Sequence, residues 1–331
     1  MATSSSSKDA FPELRNYMAS PQEYSSATLV KTLDAETRSL LMERIIKAIE
    51  TYYLDREATV NIATTLRASL SRGVYDEITD RDTFAAIIST DMQRLTGDQH
   101  FRCLYGVPPD EPSGQVQLER LERSNYGFGK INILPGNIVS VEIKSFVPIE
   151  WNGVRGRIDA IMPSIADANA LIIDLRHNRG GDPKTVAFIA SYLLGNEPTT
   201  WLKFISSADG EVEDICTQHP APAKRVGPDK PIFAVTSSAT ISGGEDLSYG
   251  LQALKRATIV GETTAGAANL PRSCVLGNLF TLFVPHRRPV HPLTGGNWEG
   301  GGVVPDIAVA AVEAFNVAYE LAMTKLGIET L

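Results

Sequence analysis

The sequence predicts an α/β protein in which a small helical-bundle domain precedes a larger domain built on a parallel sheet. Before residue 100, apolar residues recur at helical spacing in three stretches, which indicates three packed helices. Further on, the apolar run Ala170–Leu175 is followed by a polar loop, a helical stretch and a second apolar run, Pro231–Val235. This βαβ order is typical of parallel strands. We therefore predict a mobile N-terminal arm (1–26), a helical domain (27–105) and an α/β domain (106–331).

The three N-terminal helices are predicted from their apolar stripes and their starting residues. The first follows Asp34, the second spans Ala58–Arg72, and the third spans Asp82–Leu95 with Asp80 or Asp82 as its cap. The residues before them are rich in Ser, Pro and Ala and lack this periodicity, so we predict that they are mobile.

Strands and helices alternate after a Pro/Asp/Gly-rich turn at residues 107–115. Short β-branched runs indicate strands, and longer amphipathic runs indicate helices. Besides the two apolar strands, the predicted elements are strands at Tyr126–Asn132 and Ile138–Ile143, helices at Val154–Asp167 and Thr185–Leu194, strands at Ala257–Val260 and Leu276–Phe283, a long loop at 286–309, and a helix at Ala311–Leu326. Ligands of such sheets bind outside the carboxyl ends of the strands, where the loops RHNRGG and SATISGGE are predicted to lie.

The composition is that of a globular protein. Of the 331 residues, 43% are hydrophobic and 21% are charged. The net charge of −8 and the lack of a Lys/Arg-rich block argue against a nucleic-acid partner.

The N-terminus lacks the basic start and apolar core of a secretory signal, and no apolar run is long enough to cross a bilayer, so we expect a cytoplasmic location and no membrane partner. Three scattered cysteines indicate neither a disulfide framework nor a CxxC metal motif, and we expect no metal or cofactor.

The stretch Thr236–Gly266 joins an apolar strand to a helix through small residues. Ser242, followed by Gly243 and Gly244, lies at the predicted start of the helix. A hydroxyl there has unpaired backbone N–H groups and the positive end of the helix beside it, which suits a nucleophile whose attack creates an oxyanion. Ser242 and Glu245 also match the capping box S-x-x-E, an ordinary way to begin a helix. Taken alone, this stretch favours the capping interpretation.

Three motifs follow one another along the larger domain. They are Asp174–Gly181 (DLRHNRGG), the segment TSSATISGGEDL with RATIVGETTAG after it, and EGGGVVPDIAV. This ordered set resembles the tail-specific, or carboxyl-terminal processing, serine peptidase family over most of residues 95–310, and it is more specific than a single Gly-rich loop. The resemblance implies a layered sheet domain of the crotonase and ClpP type. Asp174 and Arg176 are expected to form an ion pair that holds the Gly-rich loop in shape.

Two further motifs bear on the branch of this family. Asp98-Gln99-His100 follows the helical domain, and Trp298-Glu299 precedes the last motif. Both resemble the branch that contains the tricorn protease core and the domains of interphotoreceptor retinoid-binding protein. The branch that uses a lysine shortly after GExTxG is disfavoured, because this chain has Ala267 and Ala268 there.

The resemblance implies a catalytic role for three side chains. Ser242 is implied to be the nucleophile, His100 the general base and Glu299 the group that steadies the proton relay. An imidazole can take and return a proton at neutral pH. Gln99 departs from the tricorn-like pattern, which has a serine before the histidine. Either Glu299 reaches His100 directly, or the relay is looser and hydrolysis weaker.

Backbone and surface groups complete the predicted site. The backbone N–H of Gly243 and that of Gly180 or Gly181 are implied to form the oxyanion hole. His177 is a weaker candidate for lining the substrate site, and Arg287 for receiving a substrate carboxylate. For both side chains we favour the alternative, a solvent-facing position.

The predicted function is that of a serine hydrolase of tail-specific-protease type that cleaves peptides. Two alternatives stay open. In one, the same oxyanion hole serves a small molecule through ester or lactone hydrolysis, cyclisation or enolate chemistry. Three features favour it: the absence of a targeting signal, Gln99, and the stretch between His100 and Ser124, which is too short for an inserted peptide-binding domain. In the other, the chain binds a lipophilic ligand without catalysis, which the retention of Ser242, His100 and Glu299 argues against. The expected partner is a peptide or small acyl substrate, and a homo-oligomer is compatible with the sequence.

Overall fold

Residues 31–106, 114–195, 197–218, 224–227 and 229–328 are described by a computed structural model, without the side chains of 114–117. They form two units. Within the described ranges, the first contains residues 31–106 and 271–285, and the second contains residues 114–270 and 286–328. The predicted mobile arm (1–26) and residues 107–113 of the predicted turn lie outside the described residues.

The elements follow the predicted order, with additions. The helices are α1 (Ala35–Tyr52), α2 (Arg56–Ser71), α3 (Arg81–Thr96), α4 (Gly114–Arg123), α5 (Val154–Ile165), α6 (Pro183–Leu193), α7 (Gly243–Ala253) and α8 (Ala311–Lys325). The strands are β1 (Arg102–Tyr105), β2 (Phe128–Leu134), β3 (Ile138–Ile143), β4 (Ala170–Asp174), β5 (Thr200–Ser206), β6 (Val212–Cys216), β7 (Ile232–Thr236), β8 (Thr258–Gly261), β9 (Leu270–Gly277), β10 (Phe280–Val290) and β11 (Ile307–Ala308). The described helices include none that is long and apolar enough to cross a membrane.

The three helices of the first unit each begin at an aspartate cap. The side chains of Asp34, Asp55 and Asp80 accept backbone N–H groups from the first turns of α1, α2 and α3 at 2.7, 2.9 and 2.7 Å. Such caps satisfy amides that a helix start leaves unpaired. The three predicted helices are confirmed, and α2 begins two residues earlier than predicted because Asp55 caps it.

A hairpin that the sequence placed with the larger domain belongs to the first unit. Strands β9 and β10 are joined at Asn278 and Leu279, which both have positive φ, and residues 280–283 of β10 pair antiparallel with β1. The hairpin buries Leu276, Phe280 and Leu282 among the apolar side chains of α1 and α3. These contacts depend on long-range packing, which local periodicity does not report.

The second unit is built on a six-stranded sheet in the order β11-β8-β7-β4-β3-β2, with parallel neighbours except at the β2 edge. Along β4, Leu171 and Ile173 pack in one core with side chains of α5, α6 and α7, whereas Ala170 and Ile172 pack with α8. Both faces of the sheet are therefore covered, as the continuous apolar strands predicted.

Several predicted boundaries were wrong. The strand predicted from Tyr126 begins at Phe128, because Asn125, Tyr126 and Gly127 all have positive φ and form a turn. Residues 286–290 of the predicted long loop belong to β10, where 287–290 pair with β5. The sequence also gave no prediction for β1, α4, β5, β6 or β11.

The predicted position of the loops after β4 and β7 is confirmed. Strands β4 and β7 are parallel neighbours, with Asp174 opposite Val235. The loops that follow them, RHNRGG and SATISGGE, therefore leave the same edge of the sheet side by side.

Candidate active site

Ser242 has a backbone conformation that few residues other than glycine adopt. It connects the loop after β7 to α7 with φ 56° and ψ −117°, a region that costs a non-glycine residue about 1–3 kcal/mol. Ser242 and Glu245 are arranged as a capping box, in which the Glu245 carboxylate accepts the Ser242 N–H at 2.8 Å. A sharp, strained strand-to-helix turn of this kind displays a hydroxyl for attack.

A buried carboxylate holds this turn in place. Glu245 has no solvent exposure and accepts four hydrogen bonds. Besides the N–H of Ser242, its donors are the Thr264 hydroxyl at 2.6 Å and the N–H groups of Gly266 and Ala267 at 2.6 and 2.9 Å. Burial raises the pKa of Glu245, and the four hydrogen bonds oppose that rise. Sequence reasoning identified Glu245 only as a capping residue.

The loop after β4 is fixed by the predicted ion pair. Arg176 donates from Nε and Nη2 to the two carboxylate oxygens of Asp174, at 2.9 and 2.7 Å. This loop is also bound to the loop after β7, since Ser237 Oγ donates to Arg176 O at 2.6 Å and Thr240 Oγ1 to Leu175 O at 2.8 Å. The two loops therefore form one hydrogen-bonded layer.

Asn178 shapes the turn before the two glycines. It is fully buried, its Nδ2 donates to Ile143 O at 2.9 Å, and its Oδ1 accepts the N–H of Gly180 at 2.8 Å. Sequence reasoning assigned it no role, although an amide directly before a Gly-Gly turn is a signal for a side chain that binds the backbone.

The glycines of the two loops are in close contact. A Cβ atom added to Gly180 would lie 2.7 Å from Ser242 Cβ, and one added to Gly243 would lie 3.2 Å from Gly181 N. Gly180 and Gly181 also have φ of 84° and 136°, which other residues rarely adopt. Of the predicted oxyanion donors, the Gly180 N–H is occupied by Asn178, whereas those of Gly181 and Gly243 have no acceptor within the described residues. Two uncommitted amides therefore lie beside the strained serine.

The Glu299 side chain binds the two residues that directly follow those bound by Glu245. Its Oε2 accepts the N–H groups of Ala268 and Asn269 at 2.6 and 3.0 Å. The preceding Trp298 is buried and donates from Nε1 to Ala267 O at 2.9 Å. The orientation of the Glu299 carboxylate is therefore set by backbone groups.

His100 lies in the first unit, in the turn after α3. Asp98 Oδ1 accepts the backbone N–H of His100 at 2.8 Å and lies 3.7 Å from its Nδ1. The next residue, Phe101, is fully buried with its ring centroid 5.0 Å from that of Tyr53. Neither ring nitrogen of His100 has a hydrogen-bond partner among the described residues. The backbone that carries the imidazole is therefore anchored by Asp98 and by the packing of Phe101, and both ring nitrogens are buried.

The two weaker candidates have partners of their own. The His177 side chain is 71% exposed, with Nδ1 3.8 Å from Glu142 Oε1. The Arg287 guanidinium binds Glu213 and Glu211, at 2.5 and 3.2 Å. In β10, Arg287 therefore binds acidic neighbours within its own unit.

Two family profiles together match most of the chain. Residues 137–309, slightly more than half of it, match the profile of peptidase family S41. Residues 23–123 match the profile of the N-terminal domain of S41 peptidases in eukaryotic IRBP, the interphotoreceptor retinoid-binding protein. The two matches follow the order of the predicted domains.

Solved structures show the same fold at low identity. A lipoprotein from Streptococcus agalactiae aligns with a TM-score of 0.59 and 15% identity, over 86% of this chain and 96% of that one. The photosystem II D1 C-terminal processing protease aligns with a TM-score of 0.53 and 14% identity, over 88% and 98% of the two chains. At identities this low, the superpositions show a likeness of fold alone.

Proposed function

The chain belongs to peptidase family S41 and is a serine peptidase, and we propose that it cleaves peptide bonds by acyl transfer to Ser242, with His100 as general base. One observation carries the proposal. The strained Ser242 lies directly beside two backbone amides that have no acceptor among the described residues. Strain of this kind persists where the surroundings impose it, and it is concentrated at functional sites.

The two amides supply the oxyanion hole in this proposal. Gly243 N–H lies at the start of α7, where the helix dipole adds positive potential. Gly181 supplies the second donor, since Asn178 occupies the amide of Gly180. Each such donor contributes about 3 kcal/mol to stabilisation of the transition state.

In the proposed reaction, His100 takes up and gives back one proton in acylation and another in deacylation. Ser242 Oγ attacks the scissile carbonyl carbon while its proton passes to Nε2 of His100, and the carbonyl oxygen becomes an oxyanion. Collapse of this intermediate breaks the C–N bond, and the leaving amine takes the proton from His100. Water, deprotonated by His100, then attacks the carbonyl carbon of the Ser242 ester. Collapse of this second intermediate breaks the bond between that carbon and Ser242 Oγ, His100 returns its proton to Oγ, and the acid product leaves.

Glu299 is proposed to orient His100 and to stabilise the imidazolium that forms during each step. Support comes from the two amides that fix its Oε2. Because Gln99 replaces the serine of the tricorn-like pattern, we propose that Glu299 acts on His100 without an intermediary.

The narrower proposal is that the substrate is a peptide processed near its C-terminus. It is supported by the motif resemblance and by the common fold with the D1 C-terminal processing protease. Paired peptides with a free and an amidated C-terminus test it. Faster cleavage of the free acid is expected, whereas equal rates would indicate an endopeptidase that does not recognise the terminus.

Labelling with a fluorophosphonate tests the nucleophile and its base. We expect stoichiometric modification of Ser242, no modification of Ser242→Ala, and strongly slowed modification of His100→Ala. Peptide hydrolysis should disappear with labelling. Hydrolysis that persists in Ser242→Ala would refute the mechanism. If Ser242 is labelled and the protein hydrolyses small esters but no peptide, the substrate is a small acyl compound instead of a peptide.

A further inference from the structure

We propose that residues 264–269 form a bridging segment that sets the position of the nucleophile relative to Glu299, with Glu245 as its positioning residue. The inference rests on the proposed roles of Ser242 and Glu299. It adds that the two side chains are not placed independently, because Glu299 binds one short stretch of backbone directly and Ser242 is linked to the same stretch through Glu245.

Every backbone N–H of the bridging segment has an acceptor. In chain order from residue 264, the acceptors are Val303 O at 3.3 Å, Thr240 O at 3.0 Å, Glu245 Oε1 at 2.6 Å, Glu245 Oε2 at 2.9 Å and, for the last two amides, Glu299 Oε2 at 2.6 and 3.0 Å. Amides 265–267 thus bind the nucleophile loop and α7, and amides 268 and 269 bind the Glu299 side chain. Six consecutive amides used in this way connect the two halves of the site.

The bridging segment has little room to shift. The N–H of Gly300 donates to Gly266 O at 2.8 Å, and Trp298 Nε1 donates to Ala267 O at 2.9 Å. Gly266 has φ 79°, and a Cβ there would lie 3.0 Å from both Gly300 C and Gly302 N. A displacement of the segment would therefore move the Glu299 loop with it.

Glu245 connects the bridging segment to the nucleophile. Its Oε2 accepts the N–H groups of both Ser242 and Ala267, so one oxygen atom links the strained turn to the segment. All four groups around the carboxylate act as donors. A glutamine cannot replace it, because its NH2 group would face at least one backbone N–H and leave that buried donor without an acceptor.

Glu245→Gln is the direct test, with Asp246→Asn as matched control. Asp246 is the next residue of α7 and is also buried, but it binds Trp201 Nε1 instead of the bridging segment. We expect kcat of Glu245→Gln to fall about 100-fold, as a displacement of about 1 Å does, with KM changed less than about threefold because no substrate contact is lost. Fluorophosphonate titration of active sites corrects kcat for unfolded protein. Asp246→Asn should keep the wild-type kcat.

Two further measurements separate positioning from general destabilisation. The effects of Glu245→Gln and Glu299→Gln on kcat should be non-additive, because both act through one segment.

If Glu245→Gln does not fold, Thr264→Val serves instead, since Thr264 Oγ1 donates to Glu245 and accepts Val303 N–H. It should lower kcat about tenfold, and Thr264→Ser should restore it. Wild-type kcat in Glu245→Gln or Thr264→Val, or fully additive effects, would overturn this inference alone, whereas activity in Ser242→Ala would overturn the proposed function.

Discussion

Replacing Asp246 by Asn is expected to change how the stability of the protein depends on pH. One carboxyl oxygen of Asp246 accepts the indole N–H of Trp201 at 2.8 Å, and the other has no partner among the described residues. Burial raises the pKa of Asp246 from the ordinary 3.8 to about 8, against the opposing effect of the Trp201 hydrogen bond. We therefore expect the side chain to be protonated in the folded protein at neutral pH.

The sign and size of the effect follow from linkage. Because the pKa is higher in the folded than in the unfolded chain, the folded state holds an extra proton between about pH 4 and 8. The stability that this proton contributes is complete below the lower pKa and is lost as the pH rises to the higher one. At ~1.36 kcal/mol per pH unit, the loss between pH 5 and 8 amounts to about 4 kcal/mol. Asn carries no charge at any of these pH values, so its variant lacks this loss.

Urea unfolding at pH 5, 6, 7 and 8 measures the effect. The free energy of unfolding of Asp246→Asn, relative to wild type, should rise by about 4 kcal/mol from pH 5 to 8. Asp209→Asn is the control, because hydrogen bonds from Ser206 and Glu211 lower the pKa of this exposed carboxylate and keep it ionised across that range. Parallel curves for wild type and Asp246→Asn would refute the reasoning, since they would mean that the folded protein ionises Asp246 normally.

Three further substitutions test the site. Gly180→Ala places a Cβ 2.7 Å from Ser242 Cβ at φ 84°, so kcat and the rate of fluorophosphonate labelling should fall about 100-fold; an unchanged labelling rate would contradict the packing. Glu299→Gln keeps an oxygen for its two backbone donors and should fold normally while kcat falls between about tenfold and 10⁴-fold; a wild-type rate would remove Glu299 from the mechanism. Arg287→Gln should change KM for free-acid peptides less than about twofold, because exposed ion pairs contribute little and Glu213 occupies the guanidinium; a tenfold higher KM would restore its predicted role as a carboxylate receptor.

Much of the architecture follows from local patterns in the sequence. The continuous apolar runs at 170–175 and 231–235 predicted adjacent parallel strands, since a strand covered on both faces has no polar alternation. The aspartates before the first and third helices predicted helix starts, because a short side chain that accepts backbone N–H groups is needed there. The Asp174–Arg176 ion pair was likewise confirmed from two residues of one turn.

Elements held by distant contacts could not be predicted in the same way. The hairpin of β9 and β10 contributes Leu276, Phe280 and Leu282 to the core of the helical unit, although more than 150 residues separate it from those helices along the chain. Its alternating apolar residues would suit any sheet, so the pattern did not identify the surface that they cover. Prolines at 285 and 289 also favoured a loop where β10 continues.

The sequence by itself therefore determined the order of the elements, the adjacency of the two loops and the identity of Ser242 as the candidate nucleophile. Only the tertiary structure decided the backbone angles of that serine, the choice of Gly181 over Gly180 as an uncommitted amide, and the attachment of Glu245 and Glu299 to the bridging segment. The physical reason is the range of the interactions. Hydrophobic periodicity and caps act within a few residues, whereas each of these site features is a hydrogen bond or close contact between segments that only folding brings together.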